Sequence, residues 1–254
     1  MRENRLREKL MVGKPCVGTF ATIPNPAVVE LIALSGFDFV IIDMEHGILN
    51  YESVENMVRA GDVHGLTSIV RVRENRESDI LSALETGAQG VEVPHVESAE
   101  DAQRAVGAAK YAPMGMRGVS PYTRAGGYSS IPPHEHFLTS NRETMIVLHI
   151  EGREGVENMD SILRVEGVDV LFAGPYDLSQ AYGVPGDVED PKVLGAINKL
   201  IERCGSRGRW AGTFAPDVDK ARRWITAGIK YVAYSVDSGI FYNALKQALD
   251  DIRG

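Results

Sequence analysis

The sequence predicts a (β/α)8 barrel, and three observations carry that expectation. Short apolar, β-branched runs recur eight times along the 254 residues, each followed by a stretch with helical spacing of apolar residues. No Pro/Ser-rich linker divides the chain, so it reads as one domain over 1–254. The doubly wound open sheet, the nearest alternative, is weakened because neither GxGxxG after the first strand nor GxxxxGK[ST] is present.

Residues 3–11 read as a short leading helix lying across one end of the domain, and 16–20 as the first strand. Pro24-Asn25-Pro26 breaks the chain before a helix over 27–35 that Gly36 stops. The second strand, 39–42, is an uninterrupted apolar run, the pattern of a strand buried on both faces. Helix 51–60 carries Val54, Met57 and Val58 near helical spacing; strand 68–72, helix 78–85 and strand 90–93 follow. Ser98, with Asp101 three residues on, caps a helix reaching 110. Residues 111–141 read as a long irregular section rich in Pro and Gly, and such a loop is more often functional than decorative. The remaining strands are 144–150, 168–172, 210–213 and 231–235, with helices over 154–163, 190–207, 217–227 and 239–252.

The formal net charge of -8 is spread without a basic block, which argues against nucleic acid as a partner. Cys16 and Cys204 are the whole cysteine complement, as expected in a reducing compartment. The N-terminal MRENRLREKL is charged and lacks an apolar core, and no stretch approaches the roughly 20 apolar residues of a membrane span. A soluble, cytoplasmic protein is expected.

In parallel α/β folds, chemistry collects past the carboxyl ends of strands. There the sequence places Asp43, Glu45 and His46 after the second strand and Arg71 at the third. His95 follows the fourth strand, His149 and Glu151 stand at the fifth, Asp177 after the sixth and Asp237 at the eighth. A histidine flanked by two acids suits proton transfer. Arg71, a cation in an apolar strand, needs an anion: either a structural ion pair or a bound carboxylate. Glu151 and Asp177 are hard oxygen donors of the kind that hold Mg²⁺ or Mn²⁺ with waters and a chelating substrate, unless each merely caps the segment that follows. Zinc would need His149 and His46 without help from either cysteine, and His134-Glu135-His136 reads as solvated. No lysine interrupts a strand, which favours metal-assisted enolate chemistry over an imine.

Taken together, these motifs resemble the HpcH/HpaI family of class II pyruvate aldolases. The resemblance is carried by GFDFVIIDMEHG (36–47), Arg71, APMGMRG (112–118), IEG (150–152) and VDVLFAGPYDLSQAYG (168–183). It implies a phosphoenolpyruvate/pyruvate-type barrel that reversibly cleaves a 4-hydroxy-2-oxo acid to pyruvate and an aldehyde. It also implies a divalent metal, Mg²⁺ or Mn²⁺ with Co²⁺ or Zn²⁺ as further options, held by Glu151 and Asp177. By the same resemblance, Arg71 binds the pyruvate carboxylate and steadies the enolate oxygen. His46, oriented by Asp43, takes part in proton transfer, Glu45 supports water at the metal, and the backbone N–H groups of Tyr176 and Asp177 hold the substrate carboxylate. Self-association is implied too, as a dimer or a hexameric trimer of dimers with the last helix exchanged between subunits. The chain departs from the family pattern at His149, where Gln is usual, and at Glu85, where some members carry Asp near the incoming aldehyde. His95 and Tyr176 are also larger or more polar than expected, so His149, Glu85 and Tyr176 are candidates for reading the substrate. Decarboxylation of an oxaloacetate-type acid through the same enolate and non-catalytic keto-acid binding are the alternatives.

Overall fold

The computed structural model describes residues 3–254. The chain runs α1 (Arg5–Met11), β1 (Cys16–Ala21), α2 (Pro26–Leu34), β2 (Phe39–Asp43), α3 (Tyr51–His64), β3 (Thr67–Arg71), α4 (Glu77–Glu85), β4 (Gly90–Val93) and α5 (Ala99–Ala109). It continues with α6 (Pro133–Glu143), β5 (Met145–Ile150), α7 (Arg153–Glu157), α8 (Met159–Ile162), β6 (Val170–Ala173) and α9 (Pro175–Ala181). The last elements are α10 (Pro191–Ser206), β7 (Trp210–Ala215), α11 (Val218–Ala227), β8 (Tyr231–Val236) and α12 (Asp237–Arg253). All eight strands are parallel and pair in chain order, and β8 closes on β1.

Closure divides the apolar residues into two cores, because side chains alternate along a strand. One set, including Val40, Ile42, Val70, Val91 and Leu148, packs outward against the helices. The other, including Phe39, Ile41, Ile69, Val147, Phe172 and Tyr231, fills the barrel. Room for the inward aromatics comes from a missing side chain: a Cβ on Gly18 would lie 2.3 Å from the Phe39 ring. Helix α1 plugs the amino end, as expected of a leading helix set across one end. Leu6 and Leu10 join the interior core, and the Asn4 amide donates to the carbonyls of Gln89 (3.1 Å) and Glu143 (2.9 Å).

Three elements differ from the sequence reading. Residues 111–141 are not irregular throughout: Pro133 opens α6, its fixed φ suiting the first helical turn. The helix expected over 154–163 is two short pieces that meet at Asn158, whose backbone leaves the helical region. The segment after the sixth strand, where the sequence reading set no helix, is the helix α9 with Pro175 at its start.

The same register that buries the core sets up the chemistry. Asp43 is level with Arg71, and Arg71 with Glu92, on three adjacent strands. Each lies two residues beyond an inward position, so three charges meet at one level near the carboxyl end. No helix among the described residues is long and apolar enough to cross a membrane.

Candidate active site

A cleft of about 660 Å³ opens at the carboxyl end of the barrel, lined among others by Asp43, His46, Arg71, His149, Tyr176 and Asp177. Asp43 and Arg71 are both buried and form a two-point pair: Nε donates to Oδ1 (2.8 Å) and Nη2 to Oδ2 (2.5 Å). Arg71 Nη1 lies 3.0 Å from Glu45 Oε2, and the guanidinium carbon sits 4.7 Å from the centre of the Phe20 ring. Asp43 uses two of the five N–H groups, so those left on Nη1 and Nη2 serve Glu45 and whatever enters the cleft.

Asp43 orients Arg71, not the His46 imidazole as the resemblance implied. What it gives His46 is one backbone contact, Oδ1 accepting the N–H of His46 (3.3 Å) as well as that of Glu45 (3.0 Å). The turn carrying His46 is held from the other side by Arg73, whose guanidinium donates to the carbonyls of Met44 (3.2 Å) and Leu49 (2.7 Å). His46 itself is exposed in the cleft.

Glu151 is buried and has its carboxylate set from two sides. Oε1 accepts the backbone N–H of His95 (2.8 Å) and lies 2.9 Å from His95 Nδ1, while Oε2 lies 2.9 Å from His149 Nδ1. Burial pushes this carboxyl up, but the His149 charge and the hydrogen bonds from both histidines outweigh it and hold it well below the usual range. His95 is pushed up to about 9, chiefly by its hydrogen bond to Glu151, with the charges of Glu151 and Glu45 adding to it. His95 also reaches Glu45, Nε2 to Oε1 at 3.3 Å, and takes a left-handed φ of 53° to do so. Burial raises the Glu45 carboxyl in spite of the Arg71 charge beside it.

Asp177 stands in the first turn of α9, across Gly174 from Glu151. A Cβ on Gly174 would lie 3.0 Å from Glu151 Oε2 and 3.5 Å from Asp177 Oδ2, so both carboxylates face the space where a side chain would be. The N–H groups of Tyr176 and Asp177 are in that first turn, where the helix itself offers no acceptor. The Tyr176 ring packs edge-on against Phe214 with 5.9 Å between centroids and forms part of the cleft wall.

The structure thus brings together Asp43, Glu45, His46, Arg71, His149, Glu151, Tyr176 and Asp177. It does not bring Glu85. That residue ends α4 at the amino end of the barrel and is paired with Arg117 (3.0 Å), so within one chain it cannot touch a ligand in the cleft. Asp237 is structural: it accepts the N–H groups of Thr22, Ile23 and Ser238 and ties β1 to α12. His134-Glu135-His136 lies on α6, with His136 buried against Tyr111 and Ser140. Missed by the sequence reading were the place of His95 against Glu151 and the whole of Glu92, a charge inside an apolar strand. That is the same pattern that drew attention to Arg71.

A closed parallel barrel whose carboxyl-end cleft gathers a guanidinium, imidazoles and facing carboxylates has the build of an enzyme. Comparison with known proteins narrows the class. Residues 17–244 match the model of the HpcH/HpaI aldolase/citrate lyase family. The 5-keto-4-deoxy-D-glucarate aldolase of Shigella boydii serotype 18 is 32% identical over 250 residues, 98% of this chain and 96% of that one. An HpcH/HpaI aldolase/citrate lyase family protein from Burkholderia cenocepacia J2315 superposes with a TM-score of 0.94 at 29% identity, covering 99% of this chain and 100% of that one. The citrate synthase SbnG superposes with a TM-score of 0.89 at 30% identity, covering 99% and 98%. The chain belongs to the HpcH/HpaI aldolase/citrate lyase family and is a carbon–carbon lyase.

Proposed function

We propose that the chain catalyses the reversible aldol cleavage of a 4-hydroxy-2-oxo acid to pyruvate and an aldehyde, with a divalent metal ion. The observation that carries this reading is the Gly174 cradle, where Glu151 and Asp177 approach the same space beside Gly174, at the edge of the cleft that also holds Arg71 and His46. The donor chemistry fits Mg²⁺ or Mn²⁺. Two carboxylates with room for waters and a chelating 2-oxo acid make a hard, oxygen-rich site, whereas no group of three or more His, Cys, Asp or Glu among the described residues is placed to hold a metal unaided. When bound by Glu151 and Asp177, such an ion supplies the Lewis acidity that stabilises developing enolate charge.

The chain's own residues supply the rest. Arg71, fixed by Asp43, offers its remaining N–H groups to the substrate's 2-oxo acid end, where negative charge grows as C3–C4 breaks. The first-turn N–H groups of Tyr176 and Asp177 hold the carboxylate. His46 takes the proton of the C4 hydroxyl, the C3–C4 electron pair passes into the enolate, and the aldehyde leaves. The proton that His46 took is returned to C3, which yields pyruvate. Glu45, between Arg71 and His95, keeps the acidic rim tied together.

The name of the Shigella relative supports a hydroxylated oxo acid as substrate, and the citrate synthase relative supports carbon–carbon bond chemistry on this fold. Pyruvate release from 4-hydroxy-2-oxo acids, measured with and without EDTA, tests the reading. Release is expected to stop on full chelation and to return with Mn²⁺. Activity that survives chelation would overturn the metal, and CO₂ in place of an aldehyde would move the reaction to the decarboxylation of an oxaloacetate-type acid.

Self-association is proposed as well. Helix α12 leaves Phe241, Leu245, Leu249 and Ile252 exposed, an apolar stripe at helical spacing that favours burial on another copy.

A further inference from the structure

Beneath the cleft runs a polar chain that the proposed reaction does not use. His149 is buried, its ring stacked on Phe172 with centroids 4.6 Å apart and planes 14° apart. One ring nitrogen, Nδ1, lies 2.9 Å from Glu151 Oε2; the other, Nε2, lies 2.5 Å from Glu92 Oε1. The second oxygen of Glu92 accepts the Tyr231 hydroxyl at 2.9 Å. Glu92 and Tyr231 are fully buried and come from β4 and β8, on opposite sides of the barrel. Tyr231 is itself held by stacking on Phe39, 4.2 Å between centroids.

A carboxylate wholly inside a barrel is destabilising unless donors meet its oxygens, and an apolar side chain of similar size is usually the more stable choice. Here the donors do meet them, and the chain of contacts ends on Glu151. Without an acceptor behind Nε2, the His149 ring is free to turn about its Cβ–Cγ bond and present carbon to Glu151. Glu92 removes that freedom, and Tyr231 fixes Glu92.

We propose that Glu92 and Tyr231 are positioning residues: acting through His149, they hold the Glu151 carboxylate in the orientation that receives a divalent cation. This rests on the reading that Glu151 is a metal ligand. Partners of this kind behind a metal ligand typically change metal affinity by about 10–100-fold.

Binding of Mn²⁺ to the full chain, followed by electron paramagnetic resonance of the free ion, tests the proposal without reference to activity. Glu92→Leu is expected to weaken Mn²⁺ binding by about 10-fold or more, whereas Glu92→Gln keeps an acceptor for Nε2 and recovers most of the affinity. Tyr231→Phe removes a single hydroxyl and is expected to weaken binding in the same direction by a smaller factor. It decides the matter alone if Glu92→Leu does not fold. A merely structural role lowers the melting temperature but leaves the affinity of the folded variants unchanged, and that result overturns the proposal. Wild-type protein that binds no Mn²⁺ overturns the metal assignment and the proposal with it. Wild-type binding with unaltered variants overturns the positioning role only.

Discussion

Arg71 shows how one side chain is committed by its neighbours. Its pairing with Asp43 uses a planar fork against a carboxylate, which a lysine cannot reproduce. Arg71→Lys is therefore expected to lower the rate of pyruvate C3 proton exchange by roughly 10²-fold, in the range of losing one donor to a developing oxyanion. Near-normal exchange, read by NMR in D₂O, would remove Arg71 from the reaction. Gly174 makes a second case: its φ of -86° suits any residue, so Gly174→Ala acts through space and not through strain. The added methyl would meet Glu151 and Asp177, and Mn²⁺ affinity is expected to fall about tenfold with little loss of stability. Unchanged affinity would show that the two carboxylates do not share a ligand. Lys110 is the third. It is buried at the amino end, donates to the carbonyls of Asn141 (2.7 Å) and Thr144 (2.6 Å), and is pushed down to about 8 by burial. The unfolded chain, with this lysine near 10.5, binds more protons between pH 8 and 10.5, so the penalty is full below pH 8 and relieved above it. Whatever its sign at low pH, the stability of Lys110→Met relative to the wild type is expected to fall across that window, by at most about 1.4 kcal/mol per pH unit. Chemical denaturation at a series of pH values measures it, and a relative stability that grows with pH would contradict the assignment.

At the scale of elements, the strands hold the site and the loops at their carboxyl ends complete it. Arg73, just past β3, pins the turn after β2, so the His46 turn is fixed by a neighbouring strand as well as by its own Asp43. Helix α12 is the exception to a barrel whose helices cover their own strands, since Asp237 is its one buried residue among those described. Leu245→Lys with Leu249→Lys places two charges in the exposed stripe and is expected to reduce the mass found by light scattering to that of a smaller species. A wild-type chain that is already monomeric at micromolar concentration would refute the exchange of this helix.

For the whole molecule, closing the sheet is what concentrates charge. Asp43, Arg71 and Glu92 are level because three neighbouring strands keep a common register, and His149 enters from β5 beside them. The rim was legible in the sequence because chain direction alone decides which end of each strand carries the catalytic loops. Partners were not. Whether Arg71 faces a substrate or an acid of its own chain depends on inter-strand register, which no local pattern contains. Glu85 lies outside the cleft of its own chain for a related reason: α4 runs against the strands, so its last residue lies at the opposite end from that cleft.

By itself the sequence determined the number and order of strands, most of the helices between them and the polar residues near the strand ends, because two- and 3.6-residue periodicities and Gly/Pro stops are local properties of the chain. It carried the family as well, in motifs that are contiguous. Only the tertiary structure decided that Asp43 serves Arg71, that Glu151 is gripped by His95 and His149, and that Glu92 and Tyr231 stand behind them. Apart from His149 and Glu151, two residues apart at the end of β5, those contacts join different segments of the chain, and it is the closure and register of the barrel that set their distances.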